Sequence, residues 1–154
     1  MIGWLRGLFA KMFGGAGPEP DVWHFQIKGD RKEIGALNDA LERAAAGGSV
    51  PEAPMRAIQV ALDELLTNCI SYAPISPASP AKVDIIIERK ALRATITYKD
   101  KEFNPLARAT PDTEQSIAER DIGGLGIHLV KEMMDEFTHR YEDGHNILTI
   151  GKRY

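Results

Sequence analysis

Apolar residues recur along this chain in two rhythms, and the points where one gives way to the other mark its elements. Residues 22–27, Val-Trp-His-Phe-Gln-Ile, alternate as a half-buried strand does. From Asp30 the spacing lengthens to a helical one that runs to about residue 46. Ile34, Leu37 and Leu41 form its buried stripe, Asp30 is placed to cap its start and Gly47-Gly48 to end it. A second helical run follows, in which Ser49 and Glu52 have capping-box spacing. Pro51 and Pro54 are acceptable only near a helix start, so the helix is secure over residues 55–72, with Ile58, Leu62, Leu65, Leu66, Cys69 and Ile70 as its core stripe.

Prolines and serines over residues 74–80 break the chain. Residues 83–88 and 94–98 are β-rich and separated by a charged turn around Arg89-Lys90, which predicts a hairpin. Residues 104–122 are polar, contain proline and are weakly periodic, and a loop of that length inside a compact domain reads as a lid. A glycine cluster then opens a helix to about residue 137. Two strand-like runs, residues 138–141 and 146–150, close the chain around a turn at Glu142-Asp143-Gly144. The order predicts an α+β fold, a two-layer sandwich with a mixed β-sheet and helices packed on one face.

Ahead of this domain, residues 1–13 place Met1, Ile2, Trp4, Leu5, Leu8, Phe9, Met12 and Phe13 on about half of a helical circumference. That is an amphipathic helix, suited to a membrane surface or to packing on its own domain, a dimer mate or another protein. Residues 14–21, rich in glycine and proline, read as a linker, and residues 22–154 as the globular domain. With 154 residues and a net charge of −3 the chain is long enough for one sizeable core and has no general attraction for nucleic acid. A lone cysteine among apolar residues fits a reducing, cytoplasmic setting, and no apolar run reaches transmembrane length. His24, His128, His139 and His145 show no metal-ligand spacing, so no structural metal is expected.

Two stretches carry candidate chemistry. In Asp121-Ile122-Gly123-Gly124-Leu125-Gly126-Ile127 the glycines run straight into a helix, whose unpaired N–H groups and positive dipole end suit a phosphate. On spacing alone the stretch is equally a flexible turn before an ordinary helix. In the second helix Glu64 and Asn68 are one turn apart and project side by side. A carboxamide oxygen can ligate Mg²⁺ and a carboxylate can take a proton, although the same pair also suits a solvated polar face.

Together these stretches resemble the GHKL ATPase superfamily, with its Bergerat ATP-binding fold, and more closely its anti-sigma-factor serine/threonine kinases of the RsbW type. Glu64-Leu65-Leu66-Thr67-Asn68 looks like the family's N box and Gly123-Gly124-Leu125-Gly126-Ile127-His128-Leu129-Val130 like its second glycine box. Phe103-Asn104-Pro105-Leu106 resembles the approach to the ATP lid, and residues 144–149 resemble the closing hairpin.

The resemblance implies ATP and Mg²⁺ as cofactors, with Asn68 holding the ion against the phosphates and Glu64 as general base. It implies that Gly123, Gly124 and Gly126 cradle phosphate beside Ile127, and that Thr149 lies near the adenine. The family's D-x-G motif is not matched, since an ungapped alignment on Phe103 puts Tyr98 at the aspartate and Asp100 at the glycine; Asp100 is the remaining candidate for the adenine amino group. The implied partners are a sigma factor or similar regulator, a STAS-domain antagonist as phosphorylation target, and a second copy in a homodimer. The alternative is a binding module on the same fold that switches partners without phosphoryl transfer. The ATPase domain of a histidine kinase itself fits less well, because neither a dimerisation hairpin nor a phosphoacceptor histidine in helical context is visible.

Overall fold

The computed structural model describes residues 20–107 and 124–154. The amphipathic segment 1–13, nearly all of the linker and most of the lid, with Gly123, lie outside the described residues. The chain runs through β1 (Asp21–Ile27), α1 (Lys32–Ala45), α2 (Glu52–Tyr72), β2 (Ala81–Glu88), β3 (Ala91–Lys99), α3 (Gly124–Met133), β4 (Glu136–Glu142) and β5 (His145–Arg153). A short 3-10 turn, Pro105–Ala107, follows β3. Asp21, read from sequence as the last linker residue, already pairs within the sheet opposite Ile87.

The five strands form one sheet in the order β1-β2-β3-β5-β4. The α+β sandwich is as expected, but the sheet is antiparallel at every pairing rather than mixed. The cause is topological. β3 and β4 run in the same direction, and β5 folds back from the tight hairpin to sit between them, so the parallel pair is never adjacent. Asp143 at φ 51° and Gly144 at φ 76° make that hairpin turn, both left-handed as a two-residue turn of this twist demands.

Local chemistry explains the helix boundaries, including two that differ from expectation. At the start of α1 the Lys32 N–H donates to Asp30 Oδ1 at 2.9 Å, while Glu33 Oε2 accepts from the Asp30 N–H at 3.1 Å, a reciprocal cap. The capping box expected at Ser49 and Glu52 does not form. Pro51 itself occupies the cap position of α2 in an extended conformation, φ −61° and ψ 151°, which leaves Ser49 too far upstream. α3 ends at Met133 rather than near residue 137, because Phe137 is taken into β4 opposite Ile150.

One face of the sheet carries the core. Val83, Ile85, Leu92, Ala94, Ile96, Leu148 and Ile150 point from it into the helical layer, where Leu37, Leu41, Ile58, Leu62, Leu65 and Leu66 meet them. Of the stripe expected on α2, only Ile70 falls short of full burial, and Met55 and Ala61 join it. On the other face Arg93 donates to Glu88 at 2.7 Å and to Glu136 at 2.8 Å, linking β2 to β4 across β5. The bridge needs the glycine between them. A Cβ on Gly151 would meet Glu136 Oε2 at 3.0 Å and Arg93 Cγ at 3.4 Å.

Leu62 is fully buried at the centre of α2. Leu62→Ala is expected to cost about 3 kcal/mol, a fall in Tm on the order of 10 °C by calorimetry. A change of a degree or less would mean that α2 is not the keystone of this core.

Candidate nucleotide site

Burying the Leu62, Leu65 and Leu66 stripe turns Glu64 and Asn68 toward the side of α2, where both are half-buried. α3 begins alongside. Gly126 lies in its first turn, and the Glu64 carboxylate occupies the space that a side chain there would fill. A Cβ on Gly126 would collide with Glu64 Oε2 and come within 3.1 Å of its Cδ. Two candidate stretches that are far apart in sequence are therefore in direct contact, and only glycine permits the approach.

Beside this contact opens a cavity of about 290 Å³. Leu65, Asn68 and Cys69 line it from α2, Tyr98 from β3, and Asp100, Lys101 and Phe103 from the chain leaving β3. Ile127 from α3 and Leu148 from β5 complete an apolar floor. Tyr72, 60 % exposed, stands at the rim. The 3-10 turn closes one side: Asn104 Oδ1 accepts from the Leu106 N–H at 3.0 Å, and Lys131 of α3 donates to the Leu106 carbonyl at 3.3 Å.

The deep end is protonated and inert as a nucleophile. Burial, with the Asp100 charge adding to it, pushes the Cys69 thiol up to about 12. Burial likewise raises the Tyr98 phenol well above its ordinary value, helped by the charges of Cys69 and Asp100. At neutral pH the cavity thus offers a phenol O–H beside the Asp100 carboxylate, a donor next to an acceptor. A covalent mechanism through Cys69 is disfavoured, because a thiol so raised supplies almost no thiolate.

Of the residues singled out from sequence, Glu64, Asn68, Asp100, Gly126 and Ile127 come together here, and Gly124 opens α3. Gly123 lies outside the described residues. Thr149 is not brought to the cavity. It bonds Thr95 across the strands at 3.3 Å on the open face of the sheet, whereas its neighbour Leu148 faces the cavity. The alternation of Leu148 and Ile150 with Thr149 carried that signal, since apolar neighbours on both sides put a threonine on the outer face. The donor set fits a metal only in part. Among the described residues no three His, Cys, Asp or Glu side chains cluster as ligands, so an ion at Asn68 would draw most of its oxygens from a ligand's phosphates and from water.

The chain is similar to known proteins in sequence and in fold. Over 90 residues the chain is 26% identical to the serine/threonine-protein kinase BtrW of Bordetella bronchiseptica strain RB50, an alignment covering 57% of this chain and 63% of that kinase. The chain thus matches under two thirds of BtrW's length. Its fold is similar to the crystal structure of the RsbU and RsbW domains of Rv1364c from Mycobacterium tuberculosis, with a TM-score of 0.60 and 12% identity over 88% of this chain and 32% of that one. The histidine kinase-like ATPase domain family matches residues 27–152, from the end of β1 almost to the end of β5. With nearly the whole sandwich inside that match, the chain belongs to the family of histidine kinase-like ATPase domains.

Proposed function

We propose that this chain is an ATP-dependent protein serine/threonine kinase of the anti-sigma-factor type, which also sequesters a regulator and is itself released or engaged by a partner's phosphorylation state. The observation that carries the reading is the Glu64 carboxylate seated against Gly126 at the start of α3. A helix start is where phosphate is best held, so a carboxylate beside it stands within reach of a group attacking that phosphate. The relationship to BtrW supports a protein hydroxyl as the attacking group.

In this reading the backbone N–H groups at Gly124 and Gly126 would hold phosphate oxygens, and the Asn68 carboxamide oxygen would hold the Mg²⁺ that accompanies ATP. Bound Mg-ATP supplies the transferable phosphoryl group and the charge neutralisation that phosphoryl transfer needs. Glu64 would take the proton from the serine or threonine hydroxyl that attacks the transferable phosphoryl group, with ADP as the leaving group. Asp100 would accept from the base and Tyr98 would donate to it, while Ile127 and Leu148, which line the same cavity, would pack on the ring. The target is a STAS-domain antagonist, and the sequestered partner a sigma factor or similar regulator, held by a homodimer of this chain. Residues 1–13 dock on a membrane surface or on a partner.

A second reading draws on Tyr98, which lines the cavity and stands where the resemblance would place the family's adenine-binding aspartate. It makes the chain a binding module that switches partners without phosphoryl transfer. The same Asp100–Tyr98 donor and acceptor pair favours the kinase, since it offers a base both kinds of hydrogen bond.

Incubation with Mg-ATP and candidate STAS proteins is expected to transfer phosphate. Glu64→Ala should lower the rate about 10²- to 10⁴-fold, the usual worth of a general base. Gly126→Ala should cost nearly as much alone and little more in the Glu64→Ala background, because the clash disappears with the carboxylate. Absence of ATP binding at millimolar nucleotide would sink the kinase claim.

Regulator binding is expected to respond to ATP and to weaken that response in Asn68→Ala. Capture that is identical with and without nucleotide in both proteins would favour the binding module. For residues 1–13, full-length chain should co-sediment with liposomes or partner more than a chain lacking them, and equal behaviour in both assays leaves only a packing role.

A further inference from the structure

Asn146 is the only fully buried polar side chain in the core among the described residues, at 0% exposure. It lies on β5 between Tyr98 of β3 and Tyr141 of β4. Its carboxamide faces the chain that has just left β3. Nδ2 donates to the Lys101 carbonyl at 2.9 Å, and Oδ1 accepts from the Phe103 N–H at 2.9 Å. His139 Nε2 lies 2.9 Å from the same Oδ1 and donates to it, which places that ring proton on Nε2. Bonding the carbonyl of one residue and the N–H two further on is what a residue of a parallel strand does. The side chain of Asn146 therefore acts as a one-residue strand, extending the sheet to a segment whose own direction has left it.

Two more bonds tie the same segment to the β4–β5 hairpin. The Asp100 N–H donates to the Gly144 carbonyl at 3.3 Å, and the Tyr141 hydroxyl donates to the Asp100 carbonyl at 3.0 Å. Asp100, Lys101 and Phe103 line the cavity, whereas Asn146 and Tyr141 stand behind them, outside its lining. Glu64 and Gly126 belong to α2 and α3, which these bonds do not touch.

We propose that Asn146, assisted by Tyr141, is a positioning residue that sets the Asp100–Phe103 wall of the nucleotide cavity, so that nucleotide affinity depends on it and phosphoryl transfer does not. This rests on the ATP-binding reading above. A purely structural asparagine would instead lower stability, affinity and turnover together. Only a planar group with adjacent donor and acceptor makes both strand-like bonds. Asn146→Asp keeps the acceptor for Phe103 but sets an oxygen against the Lys101 carbonyl. Tyr141→Phe removes one hydroxyl from a side chain 38% exposed and leaves the core intact.

The test is calorimetric ATP titration, steady-state KM and kcat for ATP, and thermal melting on the full chain and both variants. ATP Kd and KM are expected to rise about tenfold in Asn146→Asp and about threefold in Tyr141→Phe, with kcat within about twofold of wild type and Tyr141→Phe melting as wild type does. Wild-type affinity in Tyr141→Phe, or kcat falling in step with affinity, overturns the positioning role while leaving the kinase reading standing. A wild-type chain that binds no ATP overturns the kinase reading and this role with it. Should Asn146→Asp not fold, Tyr141→Phe decides alone.

Discussion

Burial of one stripe of α2 is the constraint from which the rest of this molecule follows. Ile58, Leu62, Leu65, Leu66 and Cys69 are pressed between the sheet and α1, and a helix so gripped cannot rotate about its axis. Because 3.6 residues make a turn, fixing Leu62 and Leu65 also fixes the direction of Glu64 and Asn68. The two polar residues share the flank that α3 approaches, and Gly126 lets α3 come close enough for contact. A side chain at 126 would push the helices apart or displace the carboxylate.

The sheet contributes in a different way. Its antiparallel order places β5 beside β3, so that Leu148 forms the cavity floor next to Tyr98. The same adjacency lets Asn146 reach the segment leaving β3 and hold it without any strand pairing there. The cavity is thus assembled from two mechanical units. One is the pair α2 and α3 with Glu64, Asn68 and Gly126; the other is the β3 exit held by the closing hairpin. In the nucleotide-binding reading, the first is suited to phosphate and the second to the base.

Much of this was legible because it depends on local rules. Helical spacing marked the core of α2, alternation marked the strands, and Asp-Gly marked the last turn. The Glu64–Asn68 pair and the glycine box were visible as motifs, and their order matched an ATPase family before any contact was known. The two misread helix boundaries share one cause. Ser49 and Glu52 have capping spacing, yet Pro51 took the cap, and apolar spacing carried α3 on to Phe137, which the sheet claimed for β4. In each case a local preference met a competitor that local spacing does not weigh. Thr149 differs, since the family resemblance outweighed an alternation already present in its own strand.

The sequence by itself determined the elements, the buried stripe and the residue types able to handle phosphate, because helix and strand periods and glycine's missing side chain are properties of neighbouring residues. Only the tertiary structure decided that β5 enters between β3 and β4, that Glu64 meets Gly126, and that Asn146 serves as a strand for residues 101 and 103. Those are choices between surfaces distant in the chain. They are settled by which apolar faces close over one another with their polar groups bonded, a condition that belongs to the whole fold and to no segment of it.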